Sequence, residues 1–171
     1  MQNKALILVD FENEWTLPDS DYYVGDISDT IEKTNKVIDF ARKNDYKIIF
    51  IQHIEKEGDS FAEGTDRVEI INTLHQDTSD ISIKKYKISP FYKTDLEHHL
   101  EGIKSITVCG ILTNLCVRSL IQDTYDRDFG ITVIKDCCVS LNDEIQQFTF
   151  KDIKETREEI DFVEMDNFLN V

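Results

Sequence analysis

Three residues of different chemical type follow apolar runs at separate places in the chain. Asp10 comes directly after the apolar run 5–9, while Lys85 and Cys116 follow two later runs of similar character. An acid, an amine and a thiol are the groups that nucleophilic acyl chemistry needs: a thiolate attacks, a base removes its proton and a cation stabilises negative charge. In a parallel sheet the carboxyl ends of the strands meet at one edge. We therefore expect these three side chains to form one reactive site.

Cys116 immediately precedes a helical pattern of apolar residues. The residues that share this spacing are Val117, Leu120, Ile121, Thr124 and Tyr125. Free N–H groups and the positive end of the helix dipole favour a thiolate at such a position, so we expect a lowered pKa for the Cys116 thiol. The same N–H groups are suited to form an oxyanion hole.

Each of the three residues also has an ordinary structural interpretation. A cysteine on a helix is commonly a small buried apolar residue, an aspartate after a strand commonly caps the next segment, and a lysine is commonly solvated. The coincidence of Asp10, Lys85 and Cys116 at one predicted edge favours the reactive interpretation. Residue spacing alone does not decide between the reactive and the structural interpretation of each residue.

Strand and helix signals alternate along the chain. The predicted strands are the mainly apolar runs 5–9, 47–51, 81–83, 105–109, 131–134 and 160–163. The predicted helices are one that contains 31–41 and is capped by Ser28 or Asp29, a short one within 69–74, one opened by a capping box at 94–97, one from 117, and one over 143–157. This alternation predicts a three-layer α/β/α sandwich with a doubly wound, mostly parallel sheet of Rossmann-like topology. Since no linker or repeat divides the chain, residues 1–171 are predicted to form a single domain.

The composition excludes several classes of partner. The 171 residues include 19 Lys and Arg against 34 Asp and Glu, a formal net charge of −15. This balance argues against nucleic acid or an anionic membrane as a partner, because both attract a basic surface. The four cysteines, at 109, 116, 137 and 138, lack zinc-binding spacing, and the first apolar run is too short for a signal peptide or membrane span. We expect a cytoplasmic protein with reduced thiols, of which Cys137 and Cys138 are packing residues after the fifth strand.

Three segments around the candidate residues resemble the motifs of one family. Residues 110–117 (GILTNLCV) resemble the nucleophile motif of the isochorismatase-like cysteine hydrolases, a superfamily that includes nicotinamidases. Residues 9–15 (VDFENEW) are similar to its first-strand motif, and residues 85–96 (KYKISPFYKTDL) are similar to its lysine motif. The resemblance covers the chain from about residue 6 to residue 140. It implies the α/β/α fold already expected and the activity of a hydrolase.

The resemblance also implies a role for each candidate residue. Cys116 would be the nucleophile, Asp10 the general base and acid, and Lys85 the cation that orients this pair. A cis peptide bond is implied between Ile111 and Leu112, which would direct the N–H of Leu112, with that of Cys116, at an oxyanion. The implied reaction cleaves a small-molecule amide C–N bond through a thioester, with no cofactor. The family often forms dimers or tetramers, which implies a homodimer or homotetramer here.

Aromatic residues near the predicted strand ends are candidates for substrate binding. Trp15 and Phe61 lie in predicted loops after strands, and Phe91 follows Lys85, so we expect all three to line the substrate pocket. The predicted loop 55–80, which would shape that pocket, contains no recognisable motif. The sequence therefore does not identify the substrate.

Two positions depart from the family motifs. Glu12 stands where the family usually has Gln, a replacement that would alter a hydrogen bond supporting the site or add a negative charge beside it. Because most glutamates are exposed, we expect instead a solvated side chain at the mouth of the site. Nicotinamidases have a cluster of Asp and His metal ligands after the second strand, whereas residues 52–59 contain a single histidine, His53. We predict that His53 is a hydrogen-bonded structural residue and that the site binds no metal.

Other functions stay open at this point. The fold also suits a non-catalytic small-molecule binder, which the replacement at Glu12 leaves open, or a metal-dependent nicotinamidase. A flavodoxin-like nucleotide module shares the fold, but it needs a Gly-rich phosphate loop, and no glycine closely follows the first strand. The resemblance disfavours isochorismate cleavage, because members with that activity generally lack the cysteine.

Overall fold

A six-stranded parallel sheet forms the centre of the structure, a computed structural model that describes residues 3–170. The strands are β1 (Lys4–Val9), β2 (Lys47–His53), β3 (Ile81–Lys85), β4 (Ser105–Ile111), β5 (Gly130–Val139) and β6 (Asp161–Val163). Their order in the sheet is β3-β2-β1-β4-β5-β6, and all neighbouring pairs are parallel. The strand order reverses between β1 and β4, which is where open parallel sheets commonly bind ligands.

Helices cover both faces of the sheet. They are α1 (Ser28–Lys43), α2 (Leu96–His99), α3 (Arg118–Tyr125), α4 (Asp143–Thr156) and α5 (Met165–Leu169). Apolar residues of α1 and α5 join one buried cluster with one side of the sheet, and those of α3 and α4 join a second cluster on the other side. The predicted three-layer sandwich with a doubly wound parallel sheet is therefore confirmed. Within residues 3–170, no helix is long and apolar enough to cross a membrane.

The central strand β1 shows why its sequence is a continuous apolar run. Residues 5–9 are all fully buried. Leu6 and Leu8 belong to the cluster under α1, while Ala5, Ile7 and Val9 belong to the cluster under α3. Because successive side chains of a strand point to opposite faces, a strand covered on both sides must be apolar at every position.

The start of α1 differs from the sequence prediction. Ser28 and Asp29 lie within the first turn, and no side chain caps the helix at the residue that precedes it. The Ser28 N–H instead donates a hydrogen bond of 2.9 Å to Asp26 Oδ1. Asp26, two residues before Ser28, therefore performs the capping function, because its side chain accepts a hydrogen bond from a free N–H of the first turn from outside the helix.

The helix predicted within 69–74 is absent from the structure. A short 3₁₀ turn covers Asp66–Val68 instead, and Ile70 forms an antiparallel bridge with Glu12. Pairing of this segment with the chain after β1 holds it in an extended conformation. The prediction was wrong because tertiary pairing outweighed the local helical spacing.

Two further elements differ in detail from the prediction. The capping box at 94–97 does not form, since Thr94 Oγ1 accepts from the N–H of Leu96 at 3.3 Å and the side chain of Glu97 accepts from Arg127. β5 is ten residues long and extends through Cys137 and Cys138. These two cysteines therefore lie inside the strand rather than after it, buried in the two cores.

Gly110 allows β4 to approach β1 closely at the point of strand reversal. A Cβ atom at Gly110 would lie 2.6 Å from both the Cβ and the carbonyl oxygen of Val9. No side chain fits there without movement of the backbone of β1. The close spacing of the two strands that lead to Asp10 and to Cys116 therefore requires glycine at this position.

We predict that Gly110→Ala destabilises the fold by about 1–3 kcal/mol, the usual effect of overpacking a core. Gly130→Ala is the matched control, because its new Cβ would have 3.5 Å to the nearest atom and ordinary van der Waals contact. Urea denaturation of both variants and of the unsubstituted protein measures their free energies of unfolding. Equal stability of the two variants would contradict the close-approach argument.

Candidate active site

The three candidate residues lie together at the carboxyl edge of the sheet. Asp10 directly follows β1, Lys85 is the last residue of β3, and Cys116 lies in a π-helical turn, Thr113–Val117, between β4 and α3. Lys85 Nζ is 2.9 Å from Asp10 Oδ2 and 3.2 Å from Cys116 Sγ. Asp10 and Lys85 are fully buried, and Cys116 is 9% exposed. The fold thus places a carboxylate and an ammonium group beside one thiol.

The Lys85 ammonium group is fully engaged in this site. An ammonium group has three N–H donors. Lys85 Nζ forms an ion pair with Asp10 Oδ2 and hydrogen bonds to Cys116 Sγ and to His53 Nδ1, the last at 3.3 Å. Burial lowers the pKa of Lys85, but the interactions with Asp10 and with the sulfur of Cys116 outweigh it and leave the pKa above its ordinary value. Lys85 therefore stays cationic although it is fully buried.

His53 is a member of the site that the sequence did not assign to it. Because Lys85 donates to His53 Nδ1, the ring proton belongs on Nε2, which lies 2.8 Å from Glu55 Oε1. His53 is hydrogen-bonded, as predicted, but its partner is the ammonium group of the site itself. Its position in the sheet was a usable signal: His53 ends β2, and β2 lies between the strands that carry Asp10 and Lys85.

The backbone of Asp10 is held in an unusual conformation. Its φ angle is 55°, in the left-handed region that non-glycine residues seldom occupy. Its N–H donates to the carbonyl of Ile51 at 2.9 Å, and its carbonyl accepts from the N–H of Glu12 at 3.0 Å. Such strained conformations persist where surrounding contacts fix them, and they concentrate at functional sites.

The environment of Cys116 acts on its pKa in the direction opposite to our expectation. Burial raises the pKa of the thiol, and the negative charge of Asp10 raises it further, while Lys85 acts to lower it. The net result is a pKa well above the ordinary value. The expectation of a lowered pKa was wrong because burial and a neighbouring carboxylate outweigh the helix terminus. Cys116 is therefore a protonated thiol at neutral pH, and its attack requires a base.

A cavity of about 400 Å³ opens onto the thiol. Its lining residues are Asp10, Trp15, Tyr22, His53, Glu55, Glu57, Gly58, Asp59, Ser60, Phe61, Ile88, Leu115 and Cys116. The rings of Trp15 and Phe61 meet edge to face with centroids 5.0 Å apart, and the ring of Tyr22 contacts both. The structure thus places Trp15 and Phe61, two of the three aromatic residues expected in the pocket, in the wall of this cavity.

Phe91, the third aromatic residue expected there, lies outside the cavity. Its ring is partly buried against the core under α3, and the guanidinium group of Arg127 stacks over it at 4.1 Å. The expectation was wrong because the segment after Lys85 lines the cavity with Ile88 and packs the ring of Phe91 against the core under α3. Phe91 has a structural contact instead of a place in the cavity.

The loop that carries Phe61 is fixed by a buried carboxylate. Glu14 is fully buried and accepts hydrogen bonds from the Phe61 N–H at 3.1 Å and from Arg67 Nη1 at 2.9 Å. Phe61 itself has a φ angle of 51°. Because the charge of Glu14 is balanced by Arg67, the ion pair holds both sides of the cavity wall in place.

Glu12 is buried, contrary to the solvated position expected for it. Its side chain is fully enclosed, and Oε1 accepts a hydrogen bond from the backbone N–H of His53, while Oε2 has no hydrogen-bond partner within residues 3–170. Burial raises its pKa well above the ordinary value of 4.5, and the charge of Asp10 adds to this effect. The expectation failed because the chain after β1 pairs with Ile70, which covers Glu12. Glu12 therefore keeps a proton that an exposed glutamate would lose.

The peptide bond between Ile111 and Leu112 is cis, as the family resemblance implied. It joins β4 to the turn that carries Cys116. Leu112 accepts backbone hydrogen bonds from the N–H groups of Leu115 and Val117. These two hydrogen bonds to the Leu112 carbonyl close the turn that contains Cys116.

The candidate site offers no set of metal ligands. Across residues 3–170, the structure contains no group of three or more His, Cys, Asp or Glu side chains arranged to hold a metal ion. His53 faces one carboxylate, Glu55, and one ammonium group, Lys85.

Comparisons with known proteins agree with this fold. The family model described as "Isochorismatase domain" matches residues 4–160. Nicotinamidase 3 of Arabidopsis thaliana is 24% identical over 165 residues, covering 87% of this chain and 79% of its own length. An isochorismatase family protein of Desulfovibrio vulgaris has a TM-score of 0.90 at 19% identity over 100% of both chains. N-carbamoylsarcosine amidase of Thermoplasma acidophilum has a TM-score of 0.81 at 22% identity, covering 97% of this chain and 98% of its own.

The protein is a hydrolase with a three-layer α/β/α fold. Since the family model spans most of its length, the chain belongs to the isochorismatase family. Its structural neighbours share this parallel sheet.

We predict that Glu12→Gln raises the melting temperature more at pH 8 than at pH 5. The folded state raises the pKa of Glu12, so its contribution to stability is fully present below pH 4.5 and is lost as the pH rises through the folded-state pKa. Gln keeps a neutral side chain at every pH and avoids that loss. Differential scanning calorimetry measures the shift, with exposed Glu57→Gln as the control. A gain that is the same at both pH values would contradict a buried, proton-holding Glu12.

We predict that Asp10→Asn lowers the pH at which the Cys116 thiol ionises, because the charge of Asp10 is a main cause of the raised pKa. The ultraviolet absorbance of the thiolate, taken as the difference from a Cys116→Ser protein, measures this midpoint. Asp59→Asn is the control, since that acid is exposed at the cavity mouth. An unchanged or higher midpoint in Asp10→Asn would show that Asp10 does not act on the thiol.

Proposed function

We propose that the protein hydrolyses the amide C–N bond of a small molecule through a thioester on Cys116. The observation that carries this proposal is the contact of one buried ammonium group, Lys85 Nζ, with both Asp10 and Cys116 beside an open cavity. Relatives with the names nicotinamidase and N-carbamoylsarcosine amidase support an amide as the substrate. Trp15 and Phe61 would contact the substrate from the cavity wall.

In the first half-reaction Asp10 is the general base. The resting thiol is protonated, so its proton passes to Asp10 as Sγ forms a bond to the carbonyl carbon. Lys85 remains an ammonium group and stabilises the negative charge on Asp10 and on sulfur. The N–H groups of Leu112 and Cys116 would donate to the oxyanion. Protonated Asp10 then gives its proton to the leaving nitrogen as the C–N bond breaks.

In the second half-reaction a water molecule cleaves the thioester. Asp10, again a carboxylate, removes one proton from water as its oxygen bonds to the acyl carbon. The C–S bond breaks, the acid product leaves, and the proton on Asp10 returns to the sulfur of Cys116. The same carboxylate thus serves both halves, which agrees with its burial beside Lys85, whose ammonium group also contacts the thiol.

We also propose a compartment, an oligomeric state and a class of partner for the enzyme. We place the enzyme in the cytoplasm as a homodimer or homotetramer, with a small molecule and neither nucleic acid nor membrane as its partner. The net charge of −15 supports the exclusion of polyanionic partners. The four free, buried cysteines support a reducing compartment.

We predict that Cys116→Ala lowers the turnover of any amide substrate by about 10⁴-fold or more, because the covalent step is lost. A panel of small primary amides, including nicotinamide, with ammonia release as the readout, identifies a substrate for this measurement. Mass spectrometry of quenched reactions should show the acyl group on Cys116. Activity should persist in the presence of a chelator.

Cys138→Ala is the matched control for this experiment. It removes another buried thiol, which lies in β5 outside the cavity, and should retain turnover. Unimpaired hydrolysis by Cys116→Ala would refute the thioester mechanism. An enzyme that binds amides but hydrolyses none would indicate a non-catalytic binder with this fold.

A further inference from the structure

The mouth of the cavity is acidic. Glu55, Glu57 and Asp59 line it from a single loop. Lysine and arginine are absent from the lining residues within the part of the chain that is described. The nearest lysine in sequence, Lys56, lies over the ring of Tyr86 at 4.7 Å. It lines a neighbouring cavity with Lys87 and Lys93, and Glu55 and Glu57 border that cavity as well. Among the described residues, none of these lysines lines the cavity that opens onto Cys116, and Asp59 borders that cavity alone.

Two of these carboxylates have no partner in the protein. Glu57 and Asp59 are exposed, and within residues 3–170 neither forms a hydrogen bond or an ion pair. Glu55 Oε1 lies 2.8 Å from His53 Nε2, and Nδ1 of the same ring lies 3.3 Å from Lys85 Nζ. Lys85 itself is enclosed and paired with Asp10. The charge that a ligand meets on entry is thus negative.

The same cavity contains three aromatic rings. Trp15, Tyr22 and Phe61 pack edge to face, with ring centroids 5.0 to 5.9 Å apart. Aromatic rings attract cations, most strongly Trp and Tyr, and the attraction grows when the cation loses water. Aromatic rings and carboxylates in one cavity are the combination that recognises an ammonium group. Phe61 lies at the end of the acidic loop, whereas Trp15 and Tyr22 come from a separate segment after β1.

We propose that the substrate is an amide that also carries a positive charge, with its carbonyl at Cys116 and its cationic group beside the aromatic rings and the acidic loop. This rests on the proposed amide hydrolysis for the carbonyl and on the cavity wall for the charge. An anionic amide would meet three carboxylates with no cation to pair with. Cationic amides are therefore selected on entry and anionic amides are repelled.

The charge preference can be measured without turnover by labelling Cys116. Methanethiosulfonates react with a thiolate to form a disulfide and release methanesulfinate, so matched reagents differ only in the charge of the group they transfer. We compare 2-aminoethyl methanethiosulfonate, a cation, with 2-sulfonatoethyl methanethiosulfonate, an anion, and locate the label by mass spectrometry. The measured quantity is the labelling rate of the cationic reagent divided by that of the anionic reagent. This ratio at Cys116, divided by the same ratio for free 2-mercaptoethanol, is the normalised ratio. We expect a normalised ratio of about ten, which should fall with added salt.

The double variant Glu57→Gln/Asp59→Asn isolates the contribution of the mouth. Exposed charge pairs contribute about 1.4- to 5-fold each, so the loss of two charges should lower the normalised ratio by at least about twofold. Glu101→Gln, an exposed acid outside the cavity, should leave it unchanged. A normalised ratio of one or less in the native protein, or a ratio that the double variant does not lower, would overturn the proposal.

Hydrolysis of three matched amides separates this inference from the proposed function. They are 4-aminobutanamide, a cation, pentanamide, its neutral analogue, and 5-amino-5-oxopentanoate, an anion. We expect the highest kcat/KM for the cation, through a lower KM. Better turnover of the neutral or anionic amide would overturn the substrate class while amide hydrolysis stands. Selective labelling by the cationic reagent, with every amide left intact, would support the charge preference and count against the hydrolytic function.

Discussion

The buried ammonium group of Lys85 is the interaction on which the whole site depends. An unpaired charge inside a protein is strongly unfavourable, so Lys85 and Asp10 can be buried only together. Three acceptors around one Nζ fix its position and, through it, the positions of the acid, the thiol and His53. Because these groups come from different strands, the register of the parallel sheet sets the geometry of the site. Loss of either partner would leave the other as an uncompensated charge.

Three carboxyl groups are buried after β1, those of Asp10, Glu12 and Glu14, and the protein accommodates their charge in different ways. Asp10 is paired with Lys85, and Glu14 is paired with Arg67. Glu12 lies between them in sequence and, within residues 3–170, forms no ion pair of its own, and burial raises its pKa. One short segment thus contains two acids held in ion pairs and one acid whose ionisation is disfavoured. The raised pKa of Glu12 limits the negative charge that the single ammonium group of Lys85 must balance.

Much of the fold followed from the sequence because its determinants are local. Continuous apolar runs mark strands covered on both faces, and parallel strands bring their carboxyl ends to one edge, so the proximity of Asp10, Lys85 and Cys116 was predictable. The length of β5 was not, because polar residues interrupt its apolar pattern. The five-residue helix α5 was also missed, since it is too short for a periodic signal. These are failures of boundary and length, and the strand order does not depend on them.

The sequence predictions that were wrong at the site, those for Glu12 and Cys116, failed for a different reason. Glu12 was expected in solvent because most glutamates are exposed, and its burial arises from pairing with a segment far along the chain. The direction of the Cys116 pKa was wrong because it depends on enclosure and on Asp10, neither of which local spacing reveals. Both errors concern the environment of a residue instead of its position. Sequence patterns locate residues better than they describe what surrounds them.

The anchoring of the Phe61 loop by Glu14 divides the site into two parts that can evolve separately. Asp10, Lys85 and Cys116 lie at strand ends and in the turn after β4, where register and burial restrict replacement. The charges at the mouth lie on a loop that the hydrogen bond from the Phe61 N–H to Glu14 holds at one end. Replacement of Glu57 or Asp59 would change the charge of the cavity mouth without moving these three side chains. Selection for a new ligand can therefore act on the loop alone while the buried groups stay in place.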